Sequence, residues 1–471
     1  MINSEHRNTL IIAALFAALF YFPLIGLDVF YRDDLIRAIR SFTVWEPQGR
    51  PLADILHYIL TFRDGGLDIR PMPQILFVIS VVFSGYIIGR SFDCRNTNLL
   101  VVVTFICISP TLLQNFSYRY DSGSMGLSIL LSSAAIMASK FRDLRIVISA
   151  VLLLMSLCLY QSSINIFFAL AVIMVANLLM DKGIIAASLQ AARSMMVSFL
   201  AVIIYYYVVL GDSTKEGRGS VSITIDFITN NLISNTKLFY KWNGENVSIF
   251  LAFAIFTSLF IMAFKKINLS IKHKLFYGFL FSVSFSLIFF ISINGITLVI
   301  NGGAIDPRIW TFSGIALVSP FLVNHNAKFF NKLIIPFYMV IGLYFFAISF
   351  IYTNTLSAEY SKDKLTVTEV YSLLRQHSEL DKKIYTNGSI SRSVIGIHGS
   401  NAFSLIEDMT KKEAWWPRMF LYSLGAKNTV MSWNDKFPGK KESLMEISNV
   451  RAYEGNSYSI RCYDYCVVDF K

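Results

Sequence analysis

Charge and metal-binding side chains are scarce in this sequence. Of 471 residues only 15% are Asp, Glu, Lys or Arg, with six histidines and five cysteines. So little charge excludes an ordinary soluble domain, in which about a quarter of residues are charged. The histidines form no ligand pattern with the cysteines, so no metal site is expected from them. There is no GxxxxGK[ST] run, which excludes a phosphate loop at Gly217-Arg218-Gly219, and no seryl or cysteinyl nucleophile motif. Basic stretches interleaved with aromatics are missing too. The net charge of +11 is therefore read as anchoring to acidic lipid headgroups, with no nucleic-acid partner. Internal repeats and long low-complexity linkers are also lacking.

Apolar residues make up 54% of the chain, forty of them Phe, and mean hydropathy is +0.53. This is the composition of a polytopic membrane protein. Apolar runs near 9–30, 72–89, 98–115, 122–139, 145–162, 163–180, 194–210, 247–264, 275–295, 309–325 and 333–352 predict about eleven membrane-spanning helices at roughly 20 residues each. The first is read as a retained helix, because it is long for a signal peptide and Gly26 to Val29 offers no small-residue cleavage box.

Lys and Arg in the short connections set the orientation. Arg90, Arg95, Lys140, Arg142, Arg145, Lys182, Arg193, Lys265, Lys266, Lys272, Lys274, Lys328 and Lys332 fall on one side, read as cytoplasmic. Opposite lie the loops 31–71, 115–121, 211–246 and 296–308 and the whole tail. Two domains follow: a transmembrane domain 1–352, and an outer α/β domain 353–471. In the tail, Thr366 to Leu380 reads as a helix, and Lys383 to Tyr385, Val394 to Ile397 and Tyr458 to Phe470 as strands. Cys94, Cys107 and Cys158 lie in or beside spans as core residues. Cys462 and Cys466 stand in the outer tail, where an oxidising compartment allows a bridge, although their spacing is tight; a disulfide between them stays open. The Lys215-Glu216-Gly217-Arg218-Gly219 stretch reads as a loop that orders on ligand binding.

The segment Tyr31-Arg32-Asp33-Asp34-Leu35-Ile36-Arg37 follows directly on the first span. Two adjacent carboxylates beside hydrocarbon are costly and are kept for pairing, transport or chemistry. Leu35, Ile36, Ile39 and Phe42 recur at helical spacing behind Asp33, a suitable N-cap, and predict a helix lying on the membrane surface. Pro51 opens a second surface helix with Leu52, Ile55, Leu56, Ile59 and Leu60 on one face and His57 at its edge. Arg32, Arg37, Arg40, Arg50, Arg63 and Arg70 crowd this loop and point to an anionic ligand.

Arg32-Asp33-Asp34 with Arg37, Gln48-Gly49-Arg50-Pro51, Tyr118-Arg119-Tyr120-Asp121-Ser122 and Pro307-Arg308-Ile309-Trp310, in this order among the spans, resemble the serotype-converting O-antigen glucosyltransferases of the Gtr type. The resemblance covers most of the transmembrane part and weakens after residue 352. It implies a GT-C-like helical fold in the bacterial inner membrane, with its active site facing the periplasm. It also implies an undecaprenyl phosphate glucose donor, an O-antigen acceptor on lipopolysaccharide, and a functionally linked flippase and donor synthase. The choice of glucose rests on the resemblance alone.

The residues can meet the demands of such a transfer. An acceptor hydroxyl attacking an anomeric carbon must lose a proton, so a carboxylate serves as general base in an inverting single displacement. Asp33 is the first choice and Asp34 the second, one accepting the proton while the other orients, with Arg37 in support. The alternative is structural: Asp33 caps a helix and Asp34 pairs with Arg37. The departing lipid phosphate gains negative charge, and Arg308, Arg119, Arg50 and Arg70 are the candidates to face it, although headgroup contacts and loop ion pairs suit them equally. Tyr118, Tyr120 and Asp121 could bind a sugar, or sit as interfacial residues. Trp415, beside Trp416, could stack on an acceptor glycan, or pack in the core or on the membrane. Gln161 and Asn165 are read as hydrogen-bonding between helices. The acid pair could hold a divalent cation, as in some GT-C enzymes, yet those using polyprenyl monophosphate donors commonly do without, so no cofactor is expected. Rival readings are a transferase of another sugar, an O-antigen polymerase, and a lipid-linked sugar flippase, which should place charged or broken helices at mid-membrane.

Overall fold

Serine and glycine at residues 122–139, SGSMGLSILLSSAAIMAS, set how the apolar helices meet. A computed structural model of the protein describes residues 4–140, 144–210, 222–299, 306–323, 328–431 and 451–471. Arg142 and the Lys215 to Gly219 stretch lie outside the described residues. The chain divides into two units: Met1–Gly26 with Phe42–Phe350, and Leu27–Ser41 with Ile351–Lys471. Residues 27–41, read by sequence as the end of the first span and the start of the first outer loop, thus belong with the tail.

In the first unit, helix Ser122–Ser139 packs on Met72–Ser91. A Cβ on Gly126 would come within 2.6 Å of the Phe77 Cα, so only glycine permits this approach of backbones. The hydroxyls of Ser84 and Ser133 meet at 2.5 Å, those of Ser128 and Ser163 at 2.7 Å, and those of Ser132 and Ser156 at 2.9 Å. Lipid offers no hydrophobic drive between helices, so small residues and shared hydroxyls hold such contacts. On helix Ser4–Gly26, Ile11, Leu15, Leu19 and Phe22 form an exposed stripe suited to lipid.

Among the described residues eight helices are long and apolar enough to cross a membrane: Ser4–Gly26, Met72–Ser91, Ser122–Ser139, Gln161–Lys182, Ile184–Leu210, Glu245–Lys266, Ile271–Leu298 and Lys332–Gln376. The protein is thus a polytopic helical membrane protein. The other three expected runs give shorter apolar helices, Asn96–Cys107, Arg145–Leu159 and Pro307–Val323. The run at 98–115 is interrupted because Pro110 has no N–H to continue the ladder; the chain restarts as helix Leu112–Ser117.

The second expected surface helix forms at Pro51–Thr61, with Pro at its start. Ile55, Tyr58 and Ile59 are exposed and His57 is buried, its ring centroid 5.6 Å from that of Trp45 and 5.9 Å from that of Tyr120. The apolar face therefore points outward and the histidine side inward, as suits a helix lying at an interface.

The last apolar helix does not stop at residue 352. With no Gly or Pro from Ile351 to Gln376, it runs unbroken from Lys328 to Gln376. The Thr366 to Leu380 helix expected in the tail is mostly its final turns. Beyond it, the second unit forms a four-stranded sheet, β1 (Lys383–Asn387), β2 (Arg451–Glu454), β3 (Tyr458–Cys462) and β4 (Tyr465–Phe470), in the order β1-β4-β3-β2. β1 runs parallel to β4; β2/β3 and β3/β4 are antiparallel. The Tyr458 to Phe470 run is therefore a hairpin of two strands, and a disulfide joins the cross-strand pair Cys462 and Cys466. Val394 to Ile397, expected as a strand, begins helix Val394–Ala402, because the Ser393 hydroxyl caps it by accepting from the Gly396 N–H at 2.9 Å.

Helix Asp34–Arg40 was expected on the membrane surface. Instead Leu35 joins Val370, Ile384, Phe420 and Ile460 in the second unit's core, with Ile36 and Ile39 packed against it. The helix ends at Ser41 in the left-handed region, at φ +49, short of Phe42.

Candidate functional site

In the first unit, a short turn at Glu46–Gln48 leads through Gly49 to Arg50. Gly49 has φ +75, and a Cβ there would strike the Tyr205 hydroxyl and lie 3.2 Å from Gln161 Nε2. The Tyr205 hydroxyl donates to the Gly49 carbonyl at 2.9 Å, and Gln161 Nε2 donates to the Gln48 carbonyl at 2.8 Å. The turn is thereby pinned, and Arg50 with it. The Arg50 Nε–H donates to Gln161 Oε1 at 3.2 Å and a terminal nitrogen reaches Asp121 Oδ1 at 3.3 Å. Asp121 also accepts from Trp45 Nε1 at 2.7 Å. The Arg50 guanidinium carbon lies 5.0 Å from the Tyr160 ring centroid, a cation–π distance.

Tyr160 connects this arginine to a second. Its hydroxyl donates to the Arg308 carbonyl at 3.3 Å. Arg308 sits in the turn Pro307–Ile309; its backbone N–H donates to Gln114 Oε1 at 2.7 Å, and Asn115 Nδ2 donates to its carbonyl at 3.0 Å. Its guanidinium donates to the Tyr118 hydroxyl at 2.6 Å and lies 3.5 Å from Asp306. Held in place by neutral groups as well as by one carboxylate each, these two cations have fixed positions from which to meet an anion.

The other two arginines are placed differently. Arg119 is buried and forms a 2.8 Å ion pair with Asp68. Arg70 donates to the Ile25 carbonyl. Tyr118, Tyr120 and Asp121 are all buried, and Tyr118 and Asp121 hold Arg308 and Arg50. Gln161 and Asn165 both join helices, Gln161 through the Tyr205 hydroxyl at 2.8 Å and Asn165 through the Asn294 carbonyl at 3.1 Å and the Ile296 N–H at 3.0 Å, and Gln161 also bonds Arg50.

The acid pair belongs to the second unit. Asp33 occupies the N-cap position of helix Asp34–Arg40, yet its carboxylate makes no capping bond; it accepts from Arg37 at 3.1 Å. The Asp33 side chain is 41% exposed, whereas Asp34 is fully buried and accepts from the Tyr31 N–H at 3.2 Å. The Tyr31 hydroxyl donates to the Met409 carbonyl at 2.6 Å, and Arg32 donates to the Asp408 carbonyl at 3.2 Å. The segment carrying the acids is thus fastened to the tail by the two residues that directly precede them.

A pocket opens within this unit, lined by Tyr31, Arg32, Glu359, Asp363, Lys412, Trp415 and Trp416, among others. Lys412 bridges the buried carboxylates of Glu359 at 2.5 Å and Asp363 at 2.7 Å. Burial outweighs the lysine at Asp363 and pushes its carboxyl up to about 6. Trp415, half-buried, meets Trp416 edge-on at 5.7 Å. Among the described residues one group of three potential metal ligands comes together, Glu379 with Cys462 and Cys466. The disulfide ties up both of its sulfurs.

Trp45, Gln114, Tyr160, Gln161 and Tyr205 carry the arginine cluster without having been singled out for it. In the sequence they are ordinary polar and aromatic residues at helix ends.

Residues 22–323 match a protein-family model described as Glucosyl transferase GtrII. Over 262 residues the chain is 28% identical to the uncharacterized 55.3 kDa protein of the gtrB 5' region of Salmonella phage P22, covering 53% of this chain and 54% of that protein. The chain thus matches about half the length of this curated relative. No solved structure matches it.

Proposed function

Because this chain belongs to the GtrII glucosyl transferase family, we propose that it moves glucose from undecaprenyl phosphate glucose to the O-antigen repeat of lipopolysaccharide, at the periplasmic face of the bacterial inner membrane. The observation that carries the reading is the pair Arg50 and Arg308, one at the ring and the other at the hydroxyl of Tyr160, each positioned by partly buried hydrogen bonds. Cations fixed in advance stabilise charge developing on a departing phosphate without reorganising.

In this reading Asp33 is the general base. It is the accessible member of the pair, and Arg37 orients it. Asp34, buried on the Tyr31 N–H, shapes the turn that presents it. Proton removal by Asp33 accompanies attack of the acceptor hydroxyl on the anomeric carbon, and the lipid phosphate leaves with the bonding electrons of the C–O bond. One displacement inverts that carbon. Tyr118 and Asp121 hold the arginines, and the Cys462–Cys466 disulfide supports an oxidising compartment for the tail. No resident cofactor enters this scheme.

Expression in a bacterial strain that supplies undecaprenyl phosphate glucose but leaves its O-antigen unglucosylated tests the proposal. Mass spectrometry should show one added hexose per repeat. An unaltered O-antigen, with the protein present in the membrane, contradicts it.

A further inference from the structure

The pocket of the second unit has an aromatic wall, a polar floor and balanced charge. Trp415 and Trp416 stand edge to face, and Trp416 packs on Phe420 at 5.2 Å, so the wall is braced by the core beneath it. The floor is the pair of buried carboxylates Glu359 and Asp363 bridged by the half-buried Lys412, and Ser393 donates from both its N–H and its hydroxyl to Glu359 at 3.1 and 3.2 Å. Three cations line the pocket, Arg32, Lys411 and Lys412, against three carboxylates, Glu359, Asp363 and Glu413. An anion would find no surplus of positive charge here, and a bare apolar ligand would strip water from the polar floor without replacing its hydrogen bonds. A neutral ring with an apolar face and several hydroxyls satisfies both, stacking on tryptophan and exchanging hydrogen bonds with carboxylate and ammonium.

We propose that this pocket is a binding subsite for an uncharged pyranose of the acceptor glycan, with Trp415 as its stacking platform and the Glu359–Lys412–Asp363 set reading its hydroxyls. The same peptide connects pocket and acid pair: Tyr31 and Arg32 line the one and directly precede the other. This rests on the acceptor being a glycan, as proposed above, and needs no assumption about the donor sugar.

The test uses the full-length protein in lipid nanodiscs, without donor. Tryptophan oxidation by N-bromosuccinimide is mapped by mass spectrometry with and without a synthetic O-antigen repeating-unit oligosaccharide. Oxidation of Trp415 should fall at least about threefold on saturation, and Trp415→Ala should weaken binding about tenfold while Trp415→Phe retains most of it. An oligosaccharide that binds yet leaves Trp415 oxidation unchanged overturns the proposal, as does absence of binding. Quenching of Trp415 by headgroup-labelled lipid that the oligosaccharide does not relieve assigns the wall to the membrane and also overturns it. Since no transfer is measured, a protein that binds here but does not glucosylate refutes the donor reading and leaves this one standing.

Discussion

Arg50 lies 5.0 Å from the ring centroid of Tyr160, and the hydroxyl of that tyrosine reaches the Arg308 carbonyl at 3.3 Å. One side chain at the junction of two apolar helices thereby links two arginines from loops some 250 residues apart in sequence. Such a link can be taken apart chemically, since ring and hydroxyl serve different partners.

Tyr160→Phe keeps the ring beneath Arg50 and removes only the bond to Arg308; Tyr160→Ala removes both. The donor KM should change within about threefold in the first and rise about tenfold or more in the second, given the worth of a desolvated cation–π contact. Steady-state kinetics with lipid-linked sugar decides this. Equal behaviour of the two variants would mean that the ring is not what places Arg50.

Gly49→Ala should lower stability by about 1–3 kcal/mol, since any Cβ there is strained at φ +75 and meets Tyr205. The melting temperature of the detergent-purified protein reads the loss, which Tyr205→Phe partly relieves. A Gly49→Ala protein melting like wild type would show that the Arg50 turn tolerates a different backbone.

Asp363 gives a pH dependence whose sign is fixed. Burial raises its folded carboxyl to about 6, above its unfolded value of 3.8, so the folded state holds the proton more tightly. Its contribution to stability is fully present below the unfolded value and is lost as pH rises through about 6. Between pH 5 and pH 7.5 wild type should therefore lose more stability than Asp363→Asn does. Parallel melting curves for the two across that range would show that Asp363 ionises at no cost.

Reduction of the Cys462–Cys466 disulfide, or the Cys466→Ser substitution, should destabilise the tail by about 2 kcal/mol, as expected for so short a closed loop. The effect should appear in proteolytic sensitivity of the region after residue 376 and leave the transmembrane helices intact. Unchanged cleavage would mean that the hairpin is held by its core residues alone.

Much of this architecture was legible because apolar length is a strong signal: eight of the eleven expected spans coincide with helices long enough to cross a membrane, and Pro110 explains where one of the other three breaks. The division of the chain was less so. Tyr31 bonds Met409 across 378 positions, and no local pattern announces that residues 27–41 complete the core of the tail. The apolar positions Leu35, Ile36 and Ile39 were read correctly as one helical face, but a face alone does not say whether lipid or protein covers it. The continuous helix through residue 352 was hidden by the change in composition there, although Gly and Pro, the residues that would end it, are missing. Arg50 and Arg308 stood out as cations in apolar surroundings; Tyr160 and Gln161 did not, because a polar side chain at a helix end serves packing and function equally well.

Whether Asp33 takes the proton is decided by sugar transfer by purified wild type, Asp33→Asn and Asp34→Asn, each shown to be folded by melting, from synthetic undecaprenyl phosphate glucose to an O-antigen oligosaccharide. Folded Asp33→Asn should lose about a hundredfold or more in kcat with the donor KM little changed. Full activity of folded Asp33→Asn would contradict it, and loss confined to Asp34→Asn would move the base to the buried neighbour.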